Sequence, residues 1–320
     1  LPLLRTMRSL RDDSVPFKIA ISISPTLLSM LSDDLLQERY LTHLRRQLEL
    51  ADMELDRTRG NDAEARIARM YRDMYEANRQ DFLELYAKDL CSAFLGFQKS
   101  GHLELLTTLA THAYVPAYHQ YPEALHAQVA TATALHESVF RSRARGMWLP
   151  ECGYYPGIEG FLKRQGIKYF FTAAHGILFS RDRPKHGVYR PVRTPEGMVA
   201  LGRDVYRSNA VWSQSAGYPA DSAYRDFYRD IGYDLPLDYI GPYVHEGVTR
   251  TFTGFKYHAV TGDTDDKRIY DPAHAAERVH EHAANFLYRH VEQLEKLNNL
   301  MDEEPVICAS YDAELFGHWW

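Results

Sequence analysis

The chain has 320 residues, of which 45% are hydrophobic and 25% are charged, a composition typical of folded globular proteins rather than disordered or fibrous ones. Its 37 Lys and Arg residues stand against 43 Asp and Glu residues, so the net charge of -6 argues against nucleic acid or an anionic membrane as a partner and favours a neutral one. The 3 cysteines lack the spacing of a metal site or a disulfide framework, and no apolar run reaches the length of a bilayer span, so we expect a cytoplasmic protein.

The first third of the chain changes from a strand pattern to a helix pattern. Residues 18–24 alternate β-branched and small residues before Pro25, which predicts an early barrel strand within residues 1–32. Residues 33–100 carry apolar residues at helical spacing among many charges, with almost no Gly or Pro. A strand-to-strand connection needs far fewer helical residues, so this stretch predicts an inserted helical subdomain.

Residues 101–320 alternate between strand and helix patterns, which predicts a parallel sheet in an α/β barrel. The predicted strands cover 103–107, 146–149, 168–172 and 305–309, and the predicted helices cover 124–140, 158–165 and 272–299, the last with Asp271 as its cap. Residues 187–217 are rich in Gly, Pro and Arg, which predicts loops and short strands over a functional face.

Polar residues follow several of the predicted strands. In barrels of this kind the catalytic groups collect at the carboxyl ends of the strands, because the following loops converge on one face. The residues in these positions are Glu104, His112, Glu151, His175, Asp312, Glu314 and His318.

Two segments carry the residue types that glycosidic cleavage requires. The first, 148–157, confines Glu151 between Pro150 and a Gly-containing turn, which suits a nucleophile that needs a fixed position. The second, 310–320, contains Asp312, two further ionisable side chains and two Trp residues. Cleavage needs one carboxylic acid to protonate the leaving oxygen and a second carboxylate to attack or to activate water, so we expect one acid from each segment. The alternative for Glu151 is an exposed side chain in an ordinary strand-to-loop turn.

These segments resemble the third and fourth signature regions of family fifty-seven of the glycoside hydrolases, and most of all those of its bacterial and archaeal 1,4-α-glucan branching enzymes. Residues 101–105 with 110–112 resemble the second signature region. The resemblance covers nearly the whole chain. It implies an incomplete (β/α)7 barrel with an inserted helical subdomain.

The resemblance also implies a retaining double displacement on an α-glucan such as amylose or a glycogen-like polysaccharide, without a metal or an organic cofactor. Glu151 matches the family's nucleophile and Asp312 its general acid/base. The positions that line the donor site match His112, Trp148, His175, Trp212, His318 and Trp319. For retention we expect the two carboxyl groups about 5 to 5.5 Å apart and a raised pKa for Asp312.

Two parts of the family pattern lie outside this chain. We expect the first signature, a His-x-His pair, before its start and a C-terminal helical domain after its end. Within the family, an α-amylase or a 4-α-glucanotransferase is the alternative activity, and a lid loop at 180–189, through Tyr189 or His186, is expected to influence the choice. Outside it, the alternatives are a metal-dependent deacetylase and a non-catalytic glucan-binding protein.

Overall fold

The computed structural model describes residues 1–213, 215–244 and 249–313. Contacts divide the chain into two compact units. The first unit consists of Leu1–Tyr40, Gln80–Asp204 and Leu300–Cys308, and the second of Leu41–Arg79, Val205–Asn299 and Ala309–Trp320. The predicted boundaries of a helical insert at 33–100 stay a prediction.

The described residues form a mixed set of helices and strands. The helices are α1 (Pro2–Asp12), α2 (Pro25–Leu31), α3 (Asp34–Arg57), α4 (Asp62–Gln80), α5 (Leu90–Lys99), α6 (Pro122–Phe140), α7 (Glu159–Arg164), α8 (Ala174–Leu178), α9 (Val205–Trp212), α10 (Ile231–Asp234), α11 (Leu237–Ile240) and α12 (Pro272–Leu300). The strands are β1 (Ile19–Ser22), β2 (Leu103–Thr108), β3 (Gly146–Trp148), β4 (Tyr169–Thr172), β5 (Val192–Arg193) and β6 (Val199–Gly202). None of the helices in these ranges is both long enough and apolar enough to cross a membrane.

The strands of the first unit form one sheet in the order β1-β2-β3-β4-β6-β5. All neighbours pair in parallel except β5, which runs antiparallel to β6. The register places Trp148 opposite Thr108 on one side and Phe171 on the other. Parallel strands that are joined through helices all end at the same edge, so the loops after β2, β3 and β4 are neighbours.

Most predicted elements are confirmed, including the strands at β1 to β4, the helices α6 and α7, and the start of α12 at Pro272. The strand predicted at 305–309 is wrong, because the described residues form no ladder there. Two isolated contacts take its place, from the Asp204 N–H to the Cys308 carbonyl at 2.7 Å and from the Val306 N–H to the Tyr189 carbonyl at 2.8 Å. Pro305 also lacks the N–H that a central strand would use.

The core of the first unit lies between the sheet and helices α6 and α7. Leu125, Val129 and Leu162 from the helices pack with Met147 and Phe170 from the strands, and all five are fully buried. Leu125 and Val129 lie one helical turn apart in α6, which is the spacing from which the sequence predicted this helix.

The second unit is built around α3 from residue 41 onward and α4, and its interior contains carboxylates as well as apolar groups. Glu54 is fully buried and accepts hydrogen bonds from Arg57 at 2.7 and 2.9 Å and from the Tyr239 hydroxyl at 2.9 Å. Asp230 is also buried and accepts from the N–H groups of Gly232, Thr253 and Gly254. Each buried carboxylate therefore has partners, which is the condition under which burial of a charge is tolerated.

His136 in α6 is a buried polar residue of the first unit that lacks such partners among the described residues. Its ring is fully buried and packs on Phe140 with centroids 4.9 Å apart, and neither ring nitrogen has a hydrogen-bond partner among the described residues. Burial lowers the pKa of His136 to about 4, because the charged ring would lose its hydration without a compensating contact.

We predict that His136→Leu removes much of the acid sensitivity of the fold. The folded-state pKa lies below the ordinary value of 6.5, so the unfolded chain binds the proton more readily, and stability is lost as the pH falls from about 6.5 towards 4. At about pH 4.5 the wild type should have lost about 2 to 3 kcal/mol that the variant retains, as measured by urea unfolding at that pH and at about pH 7.5.

His126 supplies the matched control, because it is an exposed histidine of the same helix. His126→Leu should keep the wild-type difference between the two pH values. An unchanged pH dependence in His136→Leu would contradict the assignment of the buried ring.

Candidate active site

Three predicted site residues follow neighbouring strands of the parallel sheet. His112 lies after β2, Glu151 after β3, and His175 in α8, directly after β4. Because β2, β3 and β4 are adjacent and parallel, these loops share one edge of the sheet. The sheet therefore brings together the loops that carry His112, Glu151 and His175.

Glu151 sits in a tight turn with unusual backbone geometry. Its φ is 54° and that of Cys152 is 56°, so two successive non-glycine residues occupy the left-handed region. This conformation costs about 1 to 2 kcal/mol per residue and persists only where the surroundings impose it. The Cys152 N–H donates to the Leu149 carbonyl at 2.8 Å, and the Thr172 hydroxyl donates to the Cys152 carbonyl at 3.4 Å, so β4 helps to hold the turn.

The Glu151 carboxylate faces the His112 ring. His112 Nε2 lies 3.9 Å from Glu151 Oε1, and 51% of the His112 side chain and 78% of the Glu151 side chain are exposed. That distance is too long for a hydrogen bond, and the exposed fractions leave both groups accessible to a ligand. His112 is itself left-handed, with φ at 54°, and Gln128 fixes the loop before it by accepting from the Thr111 N–H at 2.9 Å.

Trp148 and His175 are two further predicted site residues at the carboxyl ends of β3 and β4. Trp148 is the last residue of β3, is half-buried, and contacts Phe171 of β4 with ring centroids 6.0 Å apart. His175 is exposed. Glu104, which the sequence placed after a strand, lies inside β2 and therefore belongs to the sheet.

A buried carboxylate that the sequence reasoning missed supports the Glu151 turn. Glu159 is 1% exposed and accepts from the Tyr154 hydroxyl at 2.5 Å and from the Gly157 N–H at 2.7 Å. Burial and the hydrogen bond to Glu159 raise the pKa of Tyr154, and the Tyr154 ring stacks on Phe170 at 5.3 Å. The spacing of Tyr154, Gly157 and Glu159 was the available signal, since a Glu at a helix start can fold back onto the preceding turn.

Close packing at Gly153 fixes the other side of the turn. A Cβ at this position would lie 2.6 Å from the Tyr114 ring and 2.8 Å from Pro116, so a larger residue would displace the loop after β2. The loops that carry His112 and Glu151 are therefore packed against each other through Tyr114 and Gly153.

The predicted lid stretch, 180–189, contacts the segment that begins at Leu300. His186 Nε2 lies 2.9 Å from Asp302 Oδ1, and Lys185 pairs with the same carboxylate. The His186 side chain is only 12% exposed, so it is not presented to solvent.

Tyr189 is likewise not an exposed side chain. It is half-buried, and its carbonyl accepts from the Val306 N–H at 2.8 Å. Directly before the predicted lid, Phe179 is a large apolar side chain that faces solvent, with 77% exposure.

Two further predicted site residues belong to the second unit. Trp212 ends α9 with 40% of its surface exposed, and Asp312 is half-buried. Glu314, His318 and Trp319 lie outside the described residues. The predicted separation of the Glu151 and Asp312 carboxyls and the raised pKa of Asp312 stay predictions.

A metal site would need several His, Cys, Asp or Glu side chains close together. In the described ranges no group of three or more His, Cys, Asp and Glu side chains has the geometry of a metal site.

The fold is that of a mixed α/β protein, and Glu151 and His112 face each other at the carboxyl edge of its parallel sheet. The model of Glycosyl hydrolase family 57 matches residues 10–319, so the chain belongs to that family. A relative described as a 1,4-alpha-glucan branching enzyme from Thermococcus kodakarensis is 30% identical over 355 aligned residues, which cover all of this chain and 48% of the relative. The chain thus spans about half the length of that relative.

Solved structures confirm the predicted α/β class with its barrel-like parallel sheet. An α-amylase from Thermotoga maritima is 40% identical, with a TM-score of 0.93 over all of this chain and 61% of that one. A branching enzyme of the same family from Pyrococcus horikoshii is 29% identical, with a TM-score of 0.85 over all of this chain and 57% of that one.

We predict that Glu159→Ala destabilises the fold by about 2 to 4 kcal/mol, because the Tyr154 hydroxyl and the Gly157 N–H lose their buried acceptor. Urea unfolding measures the loss. Glu137→Ala is the control, since Glu137 pairs with Arg143 at the surface with half of its side chain exposed. Equal stabilities for the two variants would show that Glu159 does not support the turn.

Proposed function

We propose that this chain carries the catalytic part of a 1,4-α-glucan branching enzyme, a transferase that builds glycogen-like polymers. The observation that supports it most directly is Glu151, whose exposed carboxylate is held in a left-handed turn 3.9 Å from His112 at the carboxyl edge of the sheet. A nucleophile that must meet one carbon atom needs such a fixed and accessible position.

In the proposed reaction Glu151 attacks the anomeric carbon of an α-1,4-linked glucose. The bond to the leaving oxygen breaks, and Asp312 donates its proton to that oxygen. The 6-hydroxyl of a second chain then attacks the glycosyl ester, Asp312 takes the hydroxyl proton, and the Glu151 carboxylate is released. Two inversions at the same carbon give an α-1,6 linkage, so the α configuration is retained.

The surrounding residues would position the donor sugar. Trp148 and Trp212 offer rings that stack on the apolar face of a pyranose, and His112 and His175 offer ring nitrogens for its hydroxyl groups. His318 and Trp319 stay proposed members of the same site.

Hydrolysis by an α-amylase is the second candidate, and the 40% identity to the Thermotoga maritima α-amylase favours it. The two reactions share the first step and differ only in whether water or a sugar hydroxyl attacks the glycosyl ester. Transfer requires that water is kept from the acceptor side. On the stretch around the predicted lid, Phe179 is the exposed apolar side chain that could provide such a cover.

We predict that Glu151→Gln and Asp312→Asn each lower turnover of amylose at least about a hundredfold, because each variant keeps the shape of the side chain and loses a reacting group. Initial rates and melting temperatures are measured on a full-length protein. Glu137→Gln, at an exposed surface position of the first unit, should retain the wild-type rate. A single variant at 151 or 312 with more than about a tenth of the rate would contradict the roles.

The product distinguishes the candidate activities. We expect amylose to gain α-1,6 linkages, detected by chain-length profiles after enzymatic debranching, with little release of reducing ends. An increase in reducing ends without branch points would establish hydrolysis, and a redistribution of linear chain lengths would establish 4-α-transfer. Either outcome would replace the branching assignment.

A further inference from the structure

The second unit contains a pocket that the proposed chemistry does not use. Its volume is about 640 Å³, within the range of sites that hold small molecules or a few sugar units. The residues that matter here are Asp226, Tyr228, Arg229, Asp263, Asp265 and Lys267, and we refer to the space between them as the second-unit pocket.

A buried ion pair holds the second-unit pocket open. Asp226 and Lys267 pair at 2.9 Å with about a tenth of each side chain exposed. Asp226 also accepts from the Tyr228 N–H at 2.9 Å, and Lys267 Nζ donates to the Gly262 carbonyl at 2.6 Å. Burial alone would raise the pKa of Asp226, but the hydrogen bonds from Lys267 and Tyr228 hold it below its usual value. The pair therefore joins the two walls and keeps the pocket preformed.

A row of aromatic rings continues from the pocket across the surface. Tyr228 contacts Phe227 with centroids 5.0 Å apart, Phe227 contacts Phe252 at 5.5 Å, and Phe252 contacts Tyr233 at 5.1 Å. Tyr228 is 64% exposed, and Phe252 and Tyr233 are each nearly half exposed. Lys256 Nζ lies 5.0 Å from the Phe227 ring centre and 4.5 Å from that of Phe252. These cation–π contacts hold the two rings in place. Exposed aromatic surface of this kind is typical of a binding site.

The charges of the lining favour a neutral ligand. Arg225, Arg229 and Lys267 are balanced by Asp226, Asp263 and Asp265, so neither an anion nor a cation is selected. The Asp263 and Asp265 carboxylates are exposed and make no hydrogen bond or ion pair within the described part of the chain. Free carboxylates accept from hydroxyl groups, and aromatic rings stack on the apolar faces of sugars.

We infer that the second-unit pocket and its aromatic row bind a segment of an α-glucan chain separately from bond cleavage. The inference rests on the proposed function for the substrate class alone. The pocket would take one or more glucose units, and the row beyond Tyr228 would support the chain that continues from them. Such a site raises the local concentration of polymer at the enzyme and leaves short substrates unaffected.

The test compares two tyrosines of nearly equal exposure in the second unit. Tyr228 lines the pocket and is 64% exposed, whereas Tyr288 of α12 is 66% exposed and lies outside it. Each is replaced by Ala in a full-length Glu151→Gln protein, so that turnover does not consume the ligand. Affinity for amylose is measured by electrophoresis in gels that contain the polymer, with a melting temperature for each variant.

We expect Tyr228→Ala to weaken amylose binding roughly five- to tenfold and Tyr288→Ala to leave it unchanged. The double substitution Asp263→Asn and Asp265→Asn, which changes no ring, should weaken binding by a similar factor with an unaltered melting temperature. In the active enzyme, Tyr228→Ala should raise KM for amylose and leave both kcat and the turnover of maltoheptaose unchanged.

Three results would overturn the inference: wild-type affinity in both pocket variants, an equal loss in Tyr288→Ala, or equally tight pocket-dependent binding of the β-linked cellohexaose. Failure of the proposed function has a different signature. A wild-type protein that converts no α-glucan but loses amylose affinity through Tyr228→Ala would refute the catalytic proposal and support the binding site.

Discussion

The parallel pairing of β2, β3 and β4 is the constraint on which the candidate site depends. Each strand is followed by a connection that returns on the helical side, so successive strands end at the same edge. The register that aligns Thr108, Trp148 and Phe171 brings the strand ends level, and the loops that carry His112, Glu151 and His175 therefore become neighbours. A slip of one residue in β3 would turn Trp148 to the opposite face and withdraw the Glu151 turn from the His112 loop.

Elements whose signal is local could be predicted from the sequence. The apolar residues of β2 and β4 and the helical spacing of α6 reflect burial within a few residues, and the structure agrees with these predicted elements. The segment 305–309 has the same apolar character but forms no strand in the described residues, because pairing depends on a neighbour far away in the chain. Periodicity in α12 identifies an apolar face, yet Val279 and Val291 remain exposed, since a pattern does not tell what covers a face.

The candidate site could be predicted to the level of residue types and not of geometry. The segment around Glu151 was recognised from its sequence, but its left-handed backbone and the approach of His112 depend on packing between two loops. Glu159 was missed because a Glu in the first turn of a helix is usually solvated there, stabilised by the helix dipole. Here the chain folds back so that Tyr154 and Gly157 donate hydrogen bonds to the Glu159 carboxylate. The spacing of the three residues permits this arrangement but does not require it.

The left-handed pair at Glu151 and Cys152 limits which amino acids this turn can accept. Asn, Asp and Gly adopt that conformation at low cost, whereas β-branched residues are strongly disfavoured by contacts of their own Cβ substituents. A descendant that lost the carboxylate by drift but kept its fold should therefore carry Asn or Gly at 151. Val or Ile at that position would instead indicate that the loop has adopted a different backbone conformation. The residue type at 151 therefore shows whether the left-handed turn has been kept.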